Sequence, residues 1–420
     1  MKNKNKILVC LFISSSILFT GCWDKVEFEE QGYVGAIGID NGPKNSIRVT
    51  FQIVKTVSQS GPSATGSAMG SSEKATSEII TINSPDFFSA RDLVGIAITR
   101  KITLSHSRVL IVGEDFAKSY KFYPILEASL RDEEMRRSMG LMITRETAEE
   151  FINNNKMILE SSPTKFYQLM TQRWKQIGYV PPRSNINRFI QRTEQGESIF
   201  IANYGTTKIF SVKGGKNESD YLPGEIGMTS KTSTEIIGSA VLKDGKMVGR
   251  LNGDETRLVS MLRSTPEFQS ILYSQVDPLD PKYMIGMRLK KDKKTKIYID
   301  TNKDVPLIDV TVPITIEVLS IPSFVNYPED TEKQTILKNA IENEFETSSL
   351  NLVEKTQKEF KGDPFLWENE ARKNFLTYNA YKNYSWSAKY PEANVKIHYK
   401  VTIRGFGKAL KPPNKESETQ

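Results

Sequence analysis

The sequence predicts a mixed α+β protein with a three-domain body, and three observations carry that reading. Short apolar runs alternate with helix-like stretches through the first third of the chain. A mainly helical stretch, broken at Pro181-Pro182, follows. The last part then holds long strands with one polar face and one long amphipathic helix. Strands of that kind form an antiparallel sheet covered on one side by helices. The expected divisions are a lipoprotein signal peptide at 1–21, an α/β domain at 22–145, a helix-rich middle domain at 146–225, an α+β domain at 226–410 and a disordered tail at 411–420.

The first 21 residues fit export rather than a fold. Lys2, Lys4 and Lys6 precede an apolar stretch from Ile7 to Phe19. As a helix this stretch spans ~20 Å, short of the ~30 Å hydrocarbon core of a bilayer. It therefore reads as a signal-peptide core. Leu18-Phe19-Thr20-Gly21-Cys22 follows and resembles a lipobox, in which the cysteine thiol accepts diacylglycerol before cleavage at Gly21/Cys22. Cys10 then leaves with the signal, and Cys22, the second of the two cysteines, is a thioether. The mature chain so read has no disulfide, no thiolate nucleophile and no cysteine metal cluster. Two acyl chains at ~0.8 kcal/mol per methylene give an anchor on the order of 20 kcal/mol. Trp23 sits next to the lipid, either among headgroups or as a packing residue.

Along the chain, Tyr33 to Ile39 reads as a strand. Ile47, Val49, Phe51 and Ile53 alternate with Arg48, Thr50 and Gln52, a strand with one buried face. Ser58 to Thr76 is too rich in Ser, Gly, Ala and Thr to bury a core and reads as a surface loop. Ser84-Pro85 predicts the cap and first turn of a helix through Arg100, Lys101 to Val112 a strand, and Glu114 onward a helix. Ala148 to about Gln195 is mainly helical, and Ser198 to Val212 reverts to strand. Glu235 to Val248 predicts a hairpin turned at Asp244-Gly245, with a helix starting near Glu255. Ile308 to Val318 alternates strictly. After Pro328 a long helix places Leu337, Ile341, Phe345, Leu352 and Phe360 near one stripe. The closing strand puts Val395, Ile397, Tyr399, Val401 and Ile403 on one face, and Lys396, His398, Lys400 and Arg404 on the other.

Chemistry is sparse. Lys and Arg total 57 against 50 Asp and Glu, a formal charge of +7, of which three charges leave with the signal lysines. That mild excess suits an anionic membrane surface and does not point to nucleic acid. The chain holds two histidines, His106 and His398, too few and too distant for a zinc site, and no G-x-S-x-G accompanies either. Gly32, Gly35 and Gly38 lie within a strand and indicate close packing rather than a dinucleotide turn. Gly238 to Gly245-Lys246 has six residues between its glycines where a phosphate loop needs about four. No carboxylate pair stands out. The six basic residues from Arg288 to Lys296 read as a solvated hairpin tip, with anionic lipid as the other reading. Arg131, Arg136 and Arg137 among Asp132, Glu133 and Glu134 read as helix-face ion pairs, or else as a partner contact. Neither a catalytic residue nor a metal or cofactor site is nominated, so the chain reads as a non-enzyme. Cys22 is its one site.

Several stretches resemble the Ger(x)C spore germination lipoproteins, the C subunits of nutrient germinant receptors. They are Gly21-Cys22-Trp23-Asp24 with Glu27, Gly38-Ile39-Asp40, Ser105-His106 leading to Gly113-Glu114 and Ala117, and Arg131-Asp132 with Arg136-Arg137. Gly238-Ser239-Ala240-Val241 through Gly249, then Glu255-Thr256, completes the order. Arg250 departs from the pattern, which has an aromatic there, and the stretch 58–76 maps onto nothing. The resemblance implies a non-enzymatic, lipid-anchored subunit at the outer face of the spore inner membrane, needed for receptor assembly or signalling. Its implied partners are a polytopic A-type subunit with a large soluble domain and a transporter-like B-type subunit, where nutrient binding is mainly expected. It also implies a three-domain α/β body and no cofactor. Direct small-molecule binding by this chain stays open. The other reading is a solute-binding lipoprotein of a transport system.

Overall fold

The computed structural model describes residues 30–55 and 77–407, apart from 158, 161, 197, 216, 230–233 and 266. Cys22, the stretch 58–76 and the tail at 411–420 lie outside the described residues. Alternating branched residues form β1 (Gln31–Asn41), β2 (Ile47–Val54) and β3 (Ser77–Ser84), joined antiparallel. Thr50 and Gln52, which alternation assigns to a solvated face, are as buried as their apolar neighbours. Thr50 Oγ1 and Gln52 Nε2 are met across the strand pair, while Gln52 Oε1 has no partner among the described residues. Thr50 Oγ1 lies 3.0 Å from Thr81 Oγ1, and Gln52 Nε2 donates to Ser77 Oγ at 3.3 Å. β2 is covered on two faces, not one.

The next helix, α1 (Phe87–Val94), is shorter than expected. Asp86 caps it instead of Ser84, accepting from Ser89 N at 2.9 Å, and Gly95 ends it. The single strand expected over 101–112 is two, β4 (Lys101–Thr103) and β5 (Val109–Gly113), because the chain turns between them where Ser107 N bonds Leu104 O at 2.9 Å. Then come α2 (Glu114–Ala117), α3 (Phe122–Ser129), β6 (Gly140–Thr144), α4 (Ala148–Asn154), α5 (Pro163–Ile177), α6 (Ile186–Gln195) and β7 (Phe200–Thr206). The hairpin β8 (Glu235–Lys243) and β9 (Lys246–Leu251) turns at Asp244 and Gly245, whose φ of 49° and 78° are what a two-residue hairpin needs.

These strands form one nine-stranded sheet, in the order β3-β2-β1-β5-β6-β7-β8-β9 with β4 also on β1. β1, β5, β6 and β7 run parallel, and both wings are antiparallel. Parallel neighbours require crossovers, which the helices supply. One face buries Phe87, Phe122 and Phe189 from α1, α3 and α6. The other buries Ala148, Phe151, Ile152 and Tyr167 from α4 and α5. That coverage is why Val109–Gly113 has no polar face. The sheet draws strands from each of the three stretches that the sequence divides after 145 and 225. Two of the β1 glycines make room for helices. A Cβ on Gly38 would lie 2.9 Å from Ile152 Cδ1, and one on Gly35 2.8 Å from Pro163 Cβ.

A second sheet follows α7 (Gly253–Leu262), whose Asn252 and Glu255 form a capping box. Its strands are β10 (Ile271–Val276), β11 (Met284–Lys290), β12 (Lys296–Asp300) and β13 (Leu307–Ser320). The long helix α8 (Thr331–Lys355), the short α9 (Glu368–Ala371) and β14 (Asn394–Gly405) complete it. Leu337, Ile341, Phe345, Leu352 and Phe360 are buried as the stripe predicts. Three of the four strand pairings are antiparallel. The fourth, β13 with β14, is parallel, because α8 carries the chain back along the sheet before β14 begins.

β11 and β12 lie end to end along the other edge of β13, so Arg288–Lys296 is not a hairpin tip. It is a short excursion from what is nearly one strand. Lys291 turns inward there and is buried. Its Nζ donates to Met261 O at 2.7 Å and Arg263 O at 2.5 Å, carbonyls that the end of α7 leaves without partners. Burial pushes this lysine down to about 7.

Gly38→Val should destabilise the protein by ~1–3 kcal/mol through overpacking against α4. Gly286→Val, which meets only Ser320 Cβ at 3.5 Å, should have little effect in the same urea titration.

Candidate functional site

The residues singled out in the sequence sit mainly at joints between elements. Asp40 accepts from Ala148 N at 2.8 Å and Glu149 N at 3.0 Å, holding the first turn of α4. Burial raises its carboxyl to about 6, against those two hydrogen bonds. Glu114, also buried, binds Tyr204 Oη, Arg250 and, at 2.5 Å, Lys118 Nζ. Burial pushes Glu114 up, but these hydrogen bonds prevail and hold it below the usual carboxylate range. Arg250, the departure from the family pattern, thereby ties β9 to α2. Ser239 Oγ meets Thr256 Oγ1 at 2.8 Å, and Glu255 accepts from Lys355 Nζ at 2.7 Å, which links β8, α7 and α8. Gly249 faces Phe360, with a Cβ there only 2.3 Å from Cε1.

The arginine-rich loop differs from the helix-face reading. Residues 130–139 are turns, and the carboxylates bond a different element: Arg91 of α1 holds Asp132 at 2.5 Å and Glu134 at 3.1 Å. Arg131, Arg136 and Arg137 stay exposed with no ion pair among the described residues. The two histidines are far from any shared task. His106 stands edge-on to Tyr33 at 4.9 Å, and His398 lies on the exposed face of β14, 4.0 Å from Glu346. Among the described residues no group of three His, Cys, Asp or Glu could hold a metal ion. Cys22 lies outside the described residues.

Sequence reading missed the seam between the two sheets. There Asp363, fully buried, accepts from Phe365 N at 2.7 Å, Glu368 N at 3.0 Å and Trp386 Nε1 at 3.2 Å. Burial raises its carboxyl to about 6, against these bonds and the charges of Arg192 and Arg263. Arg192 of α6 pairs with Glu368 of α9. Arg263 pairs with Glu267 at 2.8 Å and donates through Nη2 to Pro364 O at 2.9 Å. Nothing in sequence spacing joins residues so far apart.

Nearby, a cleft of about 420 Å³ opens between α7 and α8, lined by Asp254, Arg257, Tyr273, Glu344, Asn351 and Lys355 among others. Arg257 is 1% exposed and donates to Glu218 Oε1 at 2.9 Å. Its Nε and Nη2 have no acceptor and lie near the rings of Tyr179 and Tyr273. Those ring faces substitute in part for hydrogen bonds.

Two family models match the chain. "Spore germination protein N-terminal domain" covers residues 24–206, and "Spore germination B3/ GerAC like, C-terminal" covers 237–407. The gap between them falls between β7 and β8, neighbours in one sheet. Among curated proteins the chain is similar to spore germination protein B3 of Bacillus subtilis (strain 168), at 23% identity over 97% of this chain and 99% of that one. It is similar to spore germination protein YndF of the same organism at 22%, over 97% and 99%. Among solved structures it resembles the GerBC protein, with TM-score 0.53 and 18% identity over 88% of this chain and 96% of that chain, a likeness of fold.

Asp363 generates a pH prediction. Its folded value near 6 exceeds the ordinary 3.8, so its stabilising share is complete below 3.8 and is lost as pH rises through 6. Asp363→Asn cannot titrate. The stability advantage of wild type over this variant should shrink by roughly 2–3 kcal/mol between pH 4 and pH 7, measured by denaturant unfolding at each pH.

Proposed function

Because the chain belongs to the Ger(x)C family of spore germination proteins, we propose that it is the C subunit of a nutrient germinant receptor, fixed by a lipid on Cys22 to the outer face of the spore inner membrane. The observation that carries this reading is the match of both family models, in order, over most of the chain after Cys22. Cys22 follows a signal-like stretch in the sequence, and among the described residues no helix is long and apolar enough to cross a membrane. In this reading a lipid on Cys22 is the means of attachment. Confinement to the membrane plane raises the effective concentration of the body near A-type and B-type membrane subunits. Its role is assembly or signalling, with no chemical step of its own.

The rigidity of the body supports a scaffold over a solute-binding lipoprotein. A solute-binding protein closes two lobes about a hinge. Here Ile199, Ile201, Val241 and Leu251 of the first sheet belong to the same core as Ile285, Ile308 and Ile316 of the second. A shared core of that kind resists hinge closure.

Cys22→Ala should release the protein from spore membranes and weaken the germination response to nutrient, read by membrane fractionation and by loss of spore refractility. A tagged wild-type copy should retrieve A-type and B-type subunits from solubilised spore membranes. Recovery of transport ATPase subunits instead would favour the solute-binding reading.

A further inference from the structure

The first sheet has one end where its parallel strands begin, and the register shows what gathers there. Gln31 at the start of β1 pairs with Lys101, Ala36 with Val109, and Val109 with Gly140. The chain segments that enter β4, β5 and β6, at 95–100, 104–108 and 130–139, therefore share this end with the start of β1. So does the chain that arrives from Cys22. Eight residues lie between Cys22 and Gln31, a reach of at most roughly 30 Å.

The composition of this end is unusual for a free protein surface. Ile96 is 84% exposed, and Leu93, on the last turn of α1 beside it, is also exposed. Lys101, Arg131, Arg136, Arg137 and Arg183 are exposed here too, Arg183 preceding Ser184, whose carbonyl bonds Leu141 N at the start of β6. The carboxylates that would balance the loop are partly removed, since Arg91 holds Asp132 and Glu134; Asp92 and Glu133 remain in solvent. An apolar tip ringed by unpaired guanidinium groups suits an interface that is oily within and anionic at its surface.

We propose that this end of the sheet lies against the bilayer, with Ile96 and Leu93 entering the headgroup region and Lys101, Arg131, Arg136 and Arg137 meeting anionic phosphate groups. The inference rests on the lipid at Cys22 and adds an orientation to it. The tether brings this end close to the membrane, and the side chains keep it there.

The test uses the mature, acylated chain carrying Ile96→Cys. In that chain the new thiol is the free one, because Cys22 is a thioether and Cys10 has left. It is labelled with an environment-sensitive fluorophore and reconstituted into vesicles of phosphatidylcholine and phosphatidylglycerol, with or without lipid bearing a shallow spin-label quencher. Pro43→Cys, in the exposed turn between β1 and β2 at the opposite end of the sheet, is the control. Quenching at position 96 should exceed that at 43 several-fold. It should fall toward the control when phosphatidylglycerol is omitted or when Arg136→Glu and Arg137→Glu are added. Equal quenching at the two positions in vesicles that carry the protein on flotation would overturn the orientation and leave the anchor intact. Failure to float would remove the anchor and the orientation together. In spore membranes, a label at 96 shielded from water yet unquenched by lipid would mean that a partner subunit covers this end, and would likewise overturn the proposal.

Discussion

The structure depends on how two sheets of different design are held as one body, and the buried charges around Asp363 set that joint. Arg192 comes from a helix of the first sheet, while Glu368, Asp363 and Pro364 follow the long helix of the second. Ile199 N donates to Asp363 O at 3.1 Å, so the chain entering β7 is hydrogen-bonded to the same loop. A buried ion pair adds little net stability over an apolar pair of similar shape. Losing one partner, however, costs about 3–5 kcal/mol, because the other charge is left stranded. Such a joint tolerates one relative placement and penalises the rest. Apolar contact between Ile201 and the second core could slide by a rotamer; a carboxylate receiving two amides and an indole cannot.

That fixed placement gives meaning to the scattered positions that mark the family. Asp40 and Gly38 seat α4 on β1, Glu114 and Arg250 clamp the edge of the first sheet, and Gly249 lets Phe360 of the long helix reach β9. Each lies where two elements separated in sequence meet. A receptor subunit of the kind proposed, which presents surfaces to neighbours, needs those surfaces in constant relation. Residues that lock helices to sheets serve that need better than any cleft. The same logic explains why a charged residue can replace an aromatic at 250: Glu114 and the ring of Tyr204 supply it with both an acceptor and a π face.

Much of the second sheet was legible before any coordinates. Ile308 to Val318 and Val395 to Ile403 alternate because each buries one face in the core beneath α7 and α8 and leaves the other half-buried or exposed. The stripe from Leu337 to Phe360 follows the helical period for the same reason. Where both faces of a strand are covered, the pattern misled. Thr50 and Gln52 look solvated in sequence, yet α4 and α5 enclose them, and cross-strand hydroxyls meet Thr50 Oγ1 and Gln52 Nε2. Lys291 looked like one more charge in a basic run, but its ammonium closes a helix end almost thirty residues earlier in the chain. Local spacing cannot report such a partner, nor could it show that β7 and β8 are adjacent across the long segment between them. The candidate site divides likewise. Cys22 is proposed from a local signal alone, whereas the seam and the cationic end of the sheet exist only once the strands are in register.

Strongly shifted ionisable groups are often taken as signs of catalysis, since active sites need them. Here the three most informative ones have another occupation. Asp40 holds the amides at the start of α4, Lys291 the carbonyls at the end of α7, and Asp363 the amides of Phe365 and Glu368. Each sits where backbone groups lack partners; hydrogen bonds at Asp40 and Asp363, and the charge of Glu267 at Lys291, oppose the shift burial imposes. A general acid or base must release its proton to something that enters and leaves. These groups are hydrogen-bonded to main chain that does neither, so titrating them changes how firmly helices are held. The electrostatics of these three groups is therefore directed inward, to the shape of the body.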